Sequence, residues 1–460
     1  MKKAIRLSFL LVIALVMAGC VTFHLKPISQ SKIISAFDAR TLDNTDLKKY
    51  MEKTLHSEIV PWPLKSWDFN KLILAAFYYH PDLDVARAQW GVAKAGVTAA
   101  GARPNPNISL VPYEANTLPI PIETAGKRGY RIAQARHLSE AASLNITTTA
   151  WRVRNRLRTS LLDLYAATQT QAILNRQLEG QEEMVRLLER RLAVGEASQF
   201  EVTQTHIVMD STRLSLHEAQ KQIAEVRVQL SDAIGLPVRA LEGINISFDF
   251  IERSPPNPAY EDVRCQALLN RSDILEAIAK YEASQAVLQL EIAKQYPNFN
   301  LGPGLLWNGV TVQWTLVFST SLPIFNQNKG PIAEAEASRA EMAKRFTSLQ
   351  AQVIKEIDQA FAGFNAALRK LETADSLLSA RKKQLQSVES MLKVGGVDRL
   401  TLLGSRMELY STELSHLEAL QKVQQSLGLL ETAVQKPIDS PESFLIVPEV
   451  NPRAEKEDEK

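Results

Sequence analysis

The sequence is poor in the groups that reactive sites need. Its 460 residues include two cysteines, Cys20 and Cys265, and seven histidines with no pair at metal-ligand spacing. Two cysteines, one of them beside an export signal, are no disulfide framework. No nucleophile–base set, phosphate loop or paired metal ligands are visible, so nothing points to an enzyme or a cofactor. An excess of one charge is lacking too: 53 basic against 51 acidic residues leave +2, which is no nucleic-acid signal. After residue 20 no run is long and apolar enough for a membrane-spanning helix. Proline is absent from about Tyr130 to Ala193 and from about Ile332 to Lys393, each interrupted only by one glycine, Gly180 or Gly363.

What is present is a repeat. Val194-Gly195-Glu196 and Val394-Gly395-Gly396 stand 200 residues apart, and their surroundings match at that offset without a gap. Leu192 matches Leu392, Ser211-Thr212 matches Ser411-Thr412, Glu218-Ala219 matches Glu418-Ala419, and Pro237 matches Pro437. Behind each glycine runs a seven-residue period. Val202, Met209, Leu216, Ile223 and Leu230 form one seam, and Leu402, Leu409, His416, Val423 and Leu430 its copy. A second seam holds small residues: Thr205, Thr212, Ala219, Val226, Ala233, and Ser405, Thr412, Ala419, Ser426, Ala433. Two such positions per heptad predict coiled-coil pairing. Each entering arm of about 60 residues would span roughly 90 Å as a helix. Glycine just past the last periodic residue is a helix stop. The expectation is two long helical hairpins.

The N-terminus reads as an export signal: Lys2, Lys3 and Arg6, then a largely apolar run from Leu7 to Val16, then small residues. Met17-Ala18-Gly19-Cys20 is similar to a lipoprotein box, which would lipidate Cys20; a plain signal peptide with an incidental cysteine, or a short anchor helix, is the competing reading. We place the signal at 1–19, an extended strap at 20–66, a first repeat at 67–250, a second at 251–437 and a disordered tail at 438–460. Cys265 is expected to be a small buried residue.

Trp67 to Arg103 is predicted helical with Asp68 as cap, ending at Pro104-Asn105-Pro106-Asn107. An alternating segment follows, with Ile108, Leu110 and Pro112, a turn near Ala115-Asn116, then Leu118, Ile120 and Ile122, so that strands fall at about 105–125. In the second half Asp273 to Lys294 is helical and strands fall at about 297–325. There Phe299, Leu301, Pro303, Leu305 and Trp307 alternate with small or polar residues, and Val312, Trp314, Leu316 and Phe318 follow a turn at Asn308-Gly309. One apolar and one polar face suit either a half-buried soluble sheet or a membrane barrel. Four strands cannot close alone, so a barrel would need several chains.

The whole pattern over about 67–437 resembles the TolC-like outer-membrane efflux family. The resemblance rests on Arg191-Leu192-Ala193-Val194-Gly195 with Ser198 at a tip, Leu322-Pro323-Ile324-Phe325-Asn326 at a strand-to-helix junction, and Pro106-Asn107-Ile108 and Pro297-Asn298-Phe299 at helix-to-strand junctions. Ile122 to Arg128 and Phe325 to Gly330 are similar to its CzcC-type heavy-metal branch. The resemblance implies a mainly α chain with four β-strands, in two tandem repeats of helix, β-hairpin and long coiled-coil hairpin. It implies a homotrimer with a 12-stranded barrel in the outer membrane and an α-helical periplasmic tunnel. It also implies a periplasmic adaptor docked at Val194, Gly195, Ser198, Val394 and Gly395, and an inner-membrane pump, here of RND type. The duct itself would be passive, with heavy-metal cations as cargo; drugs or other small molecules are the alternative. Where some members carry gate aspartates, this chain has Thr401 and Gly404, while Glu201 stands at the equivalent place in the first copy. Glu201 is read either as part of an acidic ring in the tunnel or as a solvated helix charge, and Asp398 as a cap. His206, His217 and His416 are not read as a metal site. A non-channel coiled-coil spacer lipoprotein would explain the heptads and Cys20, but not the matched β-hairpins.

Overall fold

The two proline-free stretches become unbroken helices. In the computed structural model, which describes residues 21–110, 115–253, 258–307 and 310–438, helix α5 runs Lys127–Ala193 and α10 runs Lys329–Lys393, 67 and 65 residues long. At 1.5 Å per residue each is roughly 100 Å long. The return helices α6 (Gln199–Ile234) and α11 (Arg399–Val434) are 36 residues each. The signal at 1–19, Cys20, Pro112, the Asn308-Gly309 turn and the tail beyond Ile438 lie outside the described residues.

The heptads decide which faces pair. Val202, Met209, Leu216 and Leu230 are buried, as are Leu402, Leu409, Val423 and Leu430. The small-residue seam is buried at Thr212, Ala219, Val226 and Ala233 and at Thr412, Ala419, Ser426 and Ala433. Close approach at small residues lets α6 lie along α5 and α11 along α10. His416 holds its seam position half-buried, its Nε2 2.7 Å from an Asp375 carboxylate oxygen.

Residues up to Arg40 and residues from Thr41 onward form two separate units. In the first, α1 (Gln30–Asp38) buries no residue. In the second, α2 (Thr45–Leu55) is capped by Asn44 and buries Leu47, Tyr50 and Met51. The segment 20–66 is therefore not an extended strap: amphipathic spacing at Leu47, Tyr50 and Met51 supports a helix that joins the first core cluster. Asp68 caps the next helix, α3 (Phe69–Tyr79), by accepting from the Lys71 amide at 2.8 Å. The helix expected over Trp67–Arg103 is two helices, because Pro81 opens α4 (Pro81–Ala100) and His80 before it is extended. After the first hairpin come α7 (Asp249–Glu252), α8 (Tyr260–Asn270) and α9 (Ser272–Ala293). Cys265 on α8 is exposed, not buried; Val263 and Ala267 supply the packing face.

The sheet contains β1 (Ala115–Thr117), β2 (Ile120–Ile122), β3 (Phe299–Trp307) and β4 (Val312–Thr320). β1 and β2 both pair antiparallel with β3, and β4 pairs with its other side. Ser109 bridges Thr117 through two backbone hydrogen bonds of 2.9 and 3.0 Å. Ala115 and Asn116 are thus strand residues opposite Leu306 and Leu305, not a turn. Pairing along β3 sets that register and overrides the turn tendency of asparagine.

Where the repeats meet, α5 and α11 share a buried polar network. Arg154 and Arg158 both donate to Glu431 Oε2, at 2.6 and 3.1 Å, and Arg158 also donates to Gln424 Oε1 at 2.9 Å. The other Glu431 oxygen accepts from the Ile438 amide. Burial would raise the Glu431 carboxyl, but the two guanidiniums outweigh it and hold it below the usual range.

Candidate functional site

Two ends of the molecule carry features that packing alone does not explain. The first is the sheet. In antiparallel pairs, directly opposed residues share a face. Leu301, Pro303 and Leu305 oppose Phe318, Leu316 and Trp314, and Ile120 opposes Leu301. That face is apolar and bare: Trp314 is 78% and Leu316 75% exposed. The other face is mostly polar or small, with Asn300 donating to Ser319 across the strands and Gly304 opposite Thr315; Leu306 and Val317 are its apolar members. Gly302 belongs there for a steric reason. A Cβ on it would lie 1.9 Å from the Leu118 carbonyl oxygen, where Pro119 interrupts the ladder between β1 and β2.

The sheet is tied to the helices by Lys127 and Asn298. Lys127 Nζ donates to the Tyr296 carbonyl and to Asn298 Oδ1, both at 2.5 Å, while Thr124 Oγ1 donates to the Pro297 carbonyl. These contacts fasten the start of α5 to the α9–β3 junction of the other repeat. Burial pushes the Lys127 ammonium below its usual range, with Glu123 pulling the other way. Glu123 itself forms an ion pair with Arg131. At the matching place before α10, Asn328 is left-handed at φ 59° and donates to the Glu291 carbonyl at 2.7 Å.

The second feature is the pair of tips. Gly195 and Gly395 have φ of 78° and 75°, a backbone region that favours glycine, and nothing lies within 4 Å of where a Cβ would be. Val194 and Val394 beside them are exposed. Ser198 Oγ accepts from the Glu201 amide, and the Glu201 carboxylate accepts from the Ser198 amide at 2.7 Å, a complete capping box. In the second tip the chemistry is exchanged between the same two positions. Asp398 caps by accepting from the Thr401 amide at 2.8 Å, and Thr401 Oγ1 donates back to it at 2.6 Å. Each tip thus keeps one carboxylate at a helix N-terminus, where the helix dipole favours it. Backbone and hydroxyl hydrogen bonds from Ser198 hold the Glu201 carboxyl below its usual range.

The five expected docking residues therefore lie at two tips that are themselves linked. Arg191 Nη2 donates to Asp398 Oδ2 at 2.9 Å, and Arg399 Nε donates to Glu183 at 2.8 Å. Sequence reasoning missed both links, although the offset of 200 exposes the exchange of Ser198/Glu201 for Asp398/Thr401. His206, His217 and His416 stay apart, each beside a different side chain.

A family model described as outer membrane efflux protein matches residues 115–236 and 263–434. The chain belongs to that family. Within this outer membrane efflux protein, the matched spans cover the strands, both long hairpins and α9. Among relatives, the pyoverdine export outer membrane protein OpmQ of Pseudomonas aeruginosa is 27% identical over 285 residues, 59% of this chain and 58% of OpmQ. The match thus spans little more than half of that relative's length. The cobalt-zinc-cadmium resistance protein CzcC of Cupriavidus metallidurans is 21% identical over 370 residues, 76% of this chain and 85% of CzcC. The crystal structure of the outer membrane protein VceC from Vibrio cholerae has the same fold, with TM-score 0.65 and 18% identity over 80% of this chain and 96% of VceC.

Proposed function

We propose that this chain is the outer-membrane exit duct of a tripartite efflux system, conducting passively what an inner-membrane pump and a periplasmic adaptor deliver. The observation that carries it is the sheet: a bare apolar face, a mostly polar or small opposite face, and the nine-residue strands β3 and β4 beside helices of roughly 100 Å. Nine residues suit a tilted barrel strand. A sheet left open in lipid exposes unpaired backbone, so the barrel needs further copies. Three copies make it twelve-stranded and set the helices as a periplasmic tunnel. Heptad-spaced Phe200, Ile207 and Leu214 support this assembly, since they are exposed on α6 of the single chain and fit another helix.

Cys20 would anchor the chain by lipidation. Val194, Gly195, Val394 and Gly395 offer the adaptor bare backbone and two valines, with Ser198 shaping the tip from within its capping box. Three ionised Glu201 carboxylates would form an acidic ring at the tunnel entrance and favour cations. The pump is of RND type and the cargo is heavy-metal cations. Similarity to CzcC over most of both chains supports that cargo, as do the residues from Ile122 to Arg128 that form the Lys127 junction. Similarity to OpmQ favours a second reading, export of a small organic molecule.

Planar-bilayer conductance of the purified protein, with its mass measured in the same detergent, tests the duct. A trimer with discrete steps is expected; a folded monomer that never conducts overturns it in favour of a spacer. Metal and drug tolerance of a deletion strain then separates the cargo readings.

A further inference from the structure

Near the sheet end of α5, one histidine meets two carboxylates. His137 and Glu140 lie three residues apart on α5, hence on one helix face, and Glu282 reaches them from α9. One nitrogen and one oxygen from each carboxylate all lie within 4.8 Å of one another. His137 Nδ1 is 3.0 Å from Glu282 Oε2 and 3.6 Å from Glu140 Oε2.

The electrostatics of this cluster are incomplete. Among the described residues no lysine or arginine forms an ion pair with Glu140 or Glu282. His137 Nδ1 is shielded from solvent and makes no hydrogen bond, although two carboxylate oxygens lie within 3.6 Å of it. One imidazole nitrogen and two carboxylate oxygens therefore converge, with no lysine or arginine among the described residues paired to them.

We propose that His137 Nδ1, Glu140 and Glu282 bind one divalent metal ion of the zinc class, joining α5 of the first repeat to α9 of the second. The spacing fits. Zinc–nitrogen and zinc–oxygen bonds of about 2.1 Å put two ligands of a tetrahedral ion about 3.4 Å apart, between the two distances above. The donor set selects the class. Imidazole with carboxylates suits zinc, cobalt or nickel; soft monovalent ions want sulfur, and calcium and magnesium want oxygen throughout. Three protein ligands leave a fourth position for water or a passing ligand. The site does not depend on what the duct carries.

The test is calorimetric titration of zinc chloride into the full-length, detergent-solubilised, chelator-stripped protein, with His137→Ala, Glu282→Gln and Glu140→Gln. The wild type is expected to take up one zinc ion per chain and to gain thermal stability from it. Each variant should bind at least about tenfold more weakly, a loss of about 1.4 kcal/mol, and lose the thermal gain while keeping its circular dichroism. Absence of stoichiometric zinc binding, or equal binding by folded His137→Ala, overturns the proposal and leaves an ordinary histidine–glutamate cluster. Glu140→Gln alters only an exposed side chain, so it supplies the comparison should His137→Ala fail to fold. Conductance is measured separately, so failure of the metal site and failure of the duct are distinguishable.

Discussion

Arg191 Nη2 and Asp398 Oδ2 are 2.9 Å apart, although 207 positions separate the two residues. This contact joins the two helical tips of one chain. Hydrogen bonds from Thr401, then the Arg191 guanidinium, hold the Asp398 carboxyl down to about 2.

Asp398→Asn should loosen the tips relative to each other. The pair is largely exposed, so solvent screening limits it to at most about 1 kcal/mol. Spin labels at positions 194 and 394 should show a broader distance distribution in the variant. Because the folded pKa is depressed, the contribution is present above the unfolded value of about 3.9 and lost as pH falls from there through about 2. The wild-type distribution should therefore not change between pH 5 and 8; a broadening there would count against the pair.

Glu431→Gln should destabilise the whole chain. It leaves Arg154 and Arg158 buried without their shared carboxylate. Breaking a buried pair from one side costs about 3–5 kcal/mol. Thermal midpoints should fall steeply, and replacing Arg154, Arg158 and Glu431 together with apolar residues should recover part of the loss.

Two glycine-to-alanine changes should separate strain from collision. Gly195→Ala meets open space and costs only the left-handed backbone, about 1–2 kcal/mol. Gly302→Ala drives a Cβ into the Leu118 carbonyl and should prevent the sheet from pairing. Unfolding midpoints and yield of folded protein check both, and a well-folded Gly302→Ala protein would refute the register.

Arginine on the two faces of β4 should behave oppositely. Leu316→Arg places charge on the bare apolar face, at a cost of about 2–4 kcal/mol near a bilayer midplane. Thr315→Arg places it on the polar face and should cost less. Folding yield into lipid vesicles decides. Equal yields would mean that the apolar face does not meet lipid.

Periodic features were legible in advance because element geometry creates them. A helix turning every 3.6 residues buries Val202, Met209 and Leu216 together, and a strand alternates Trp314 and Leu316 with Thr315, whatever lies beyond. The tip glycines and the Asp68 cap are equally local. The break at Pro81 was local too, yet the apolar run on both sides masked it. Segment 20–66 hid α2 because its few buried residues, Leu47, Tyr50 and Met51, acquire meaning only from the core they join.

The sequence by itself determined the repeat, the long hairpins, the two-faced strands and the positions of both tips, since each shows as a spacing along the chain. Tertiary structure alone decided which polar groups meet across elements: Arg154 and Arg158 with Glu431, Arg191 with Asp398, Lys127 with Asn298, and His137 with Glu282. The reason is register. How far one hairpin slides along the next is set by the packing of whole seams, and only then do side chains 145 to 277 positions apart reach one another.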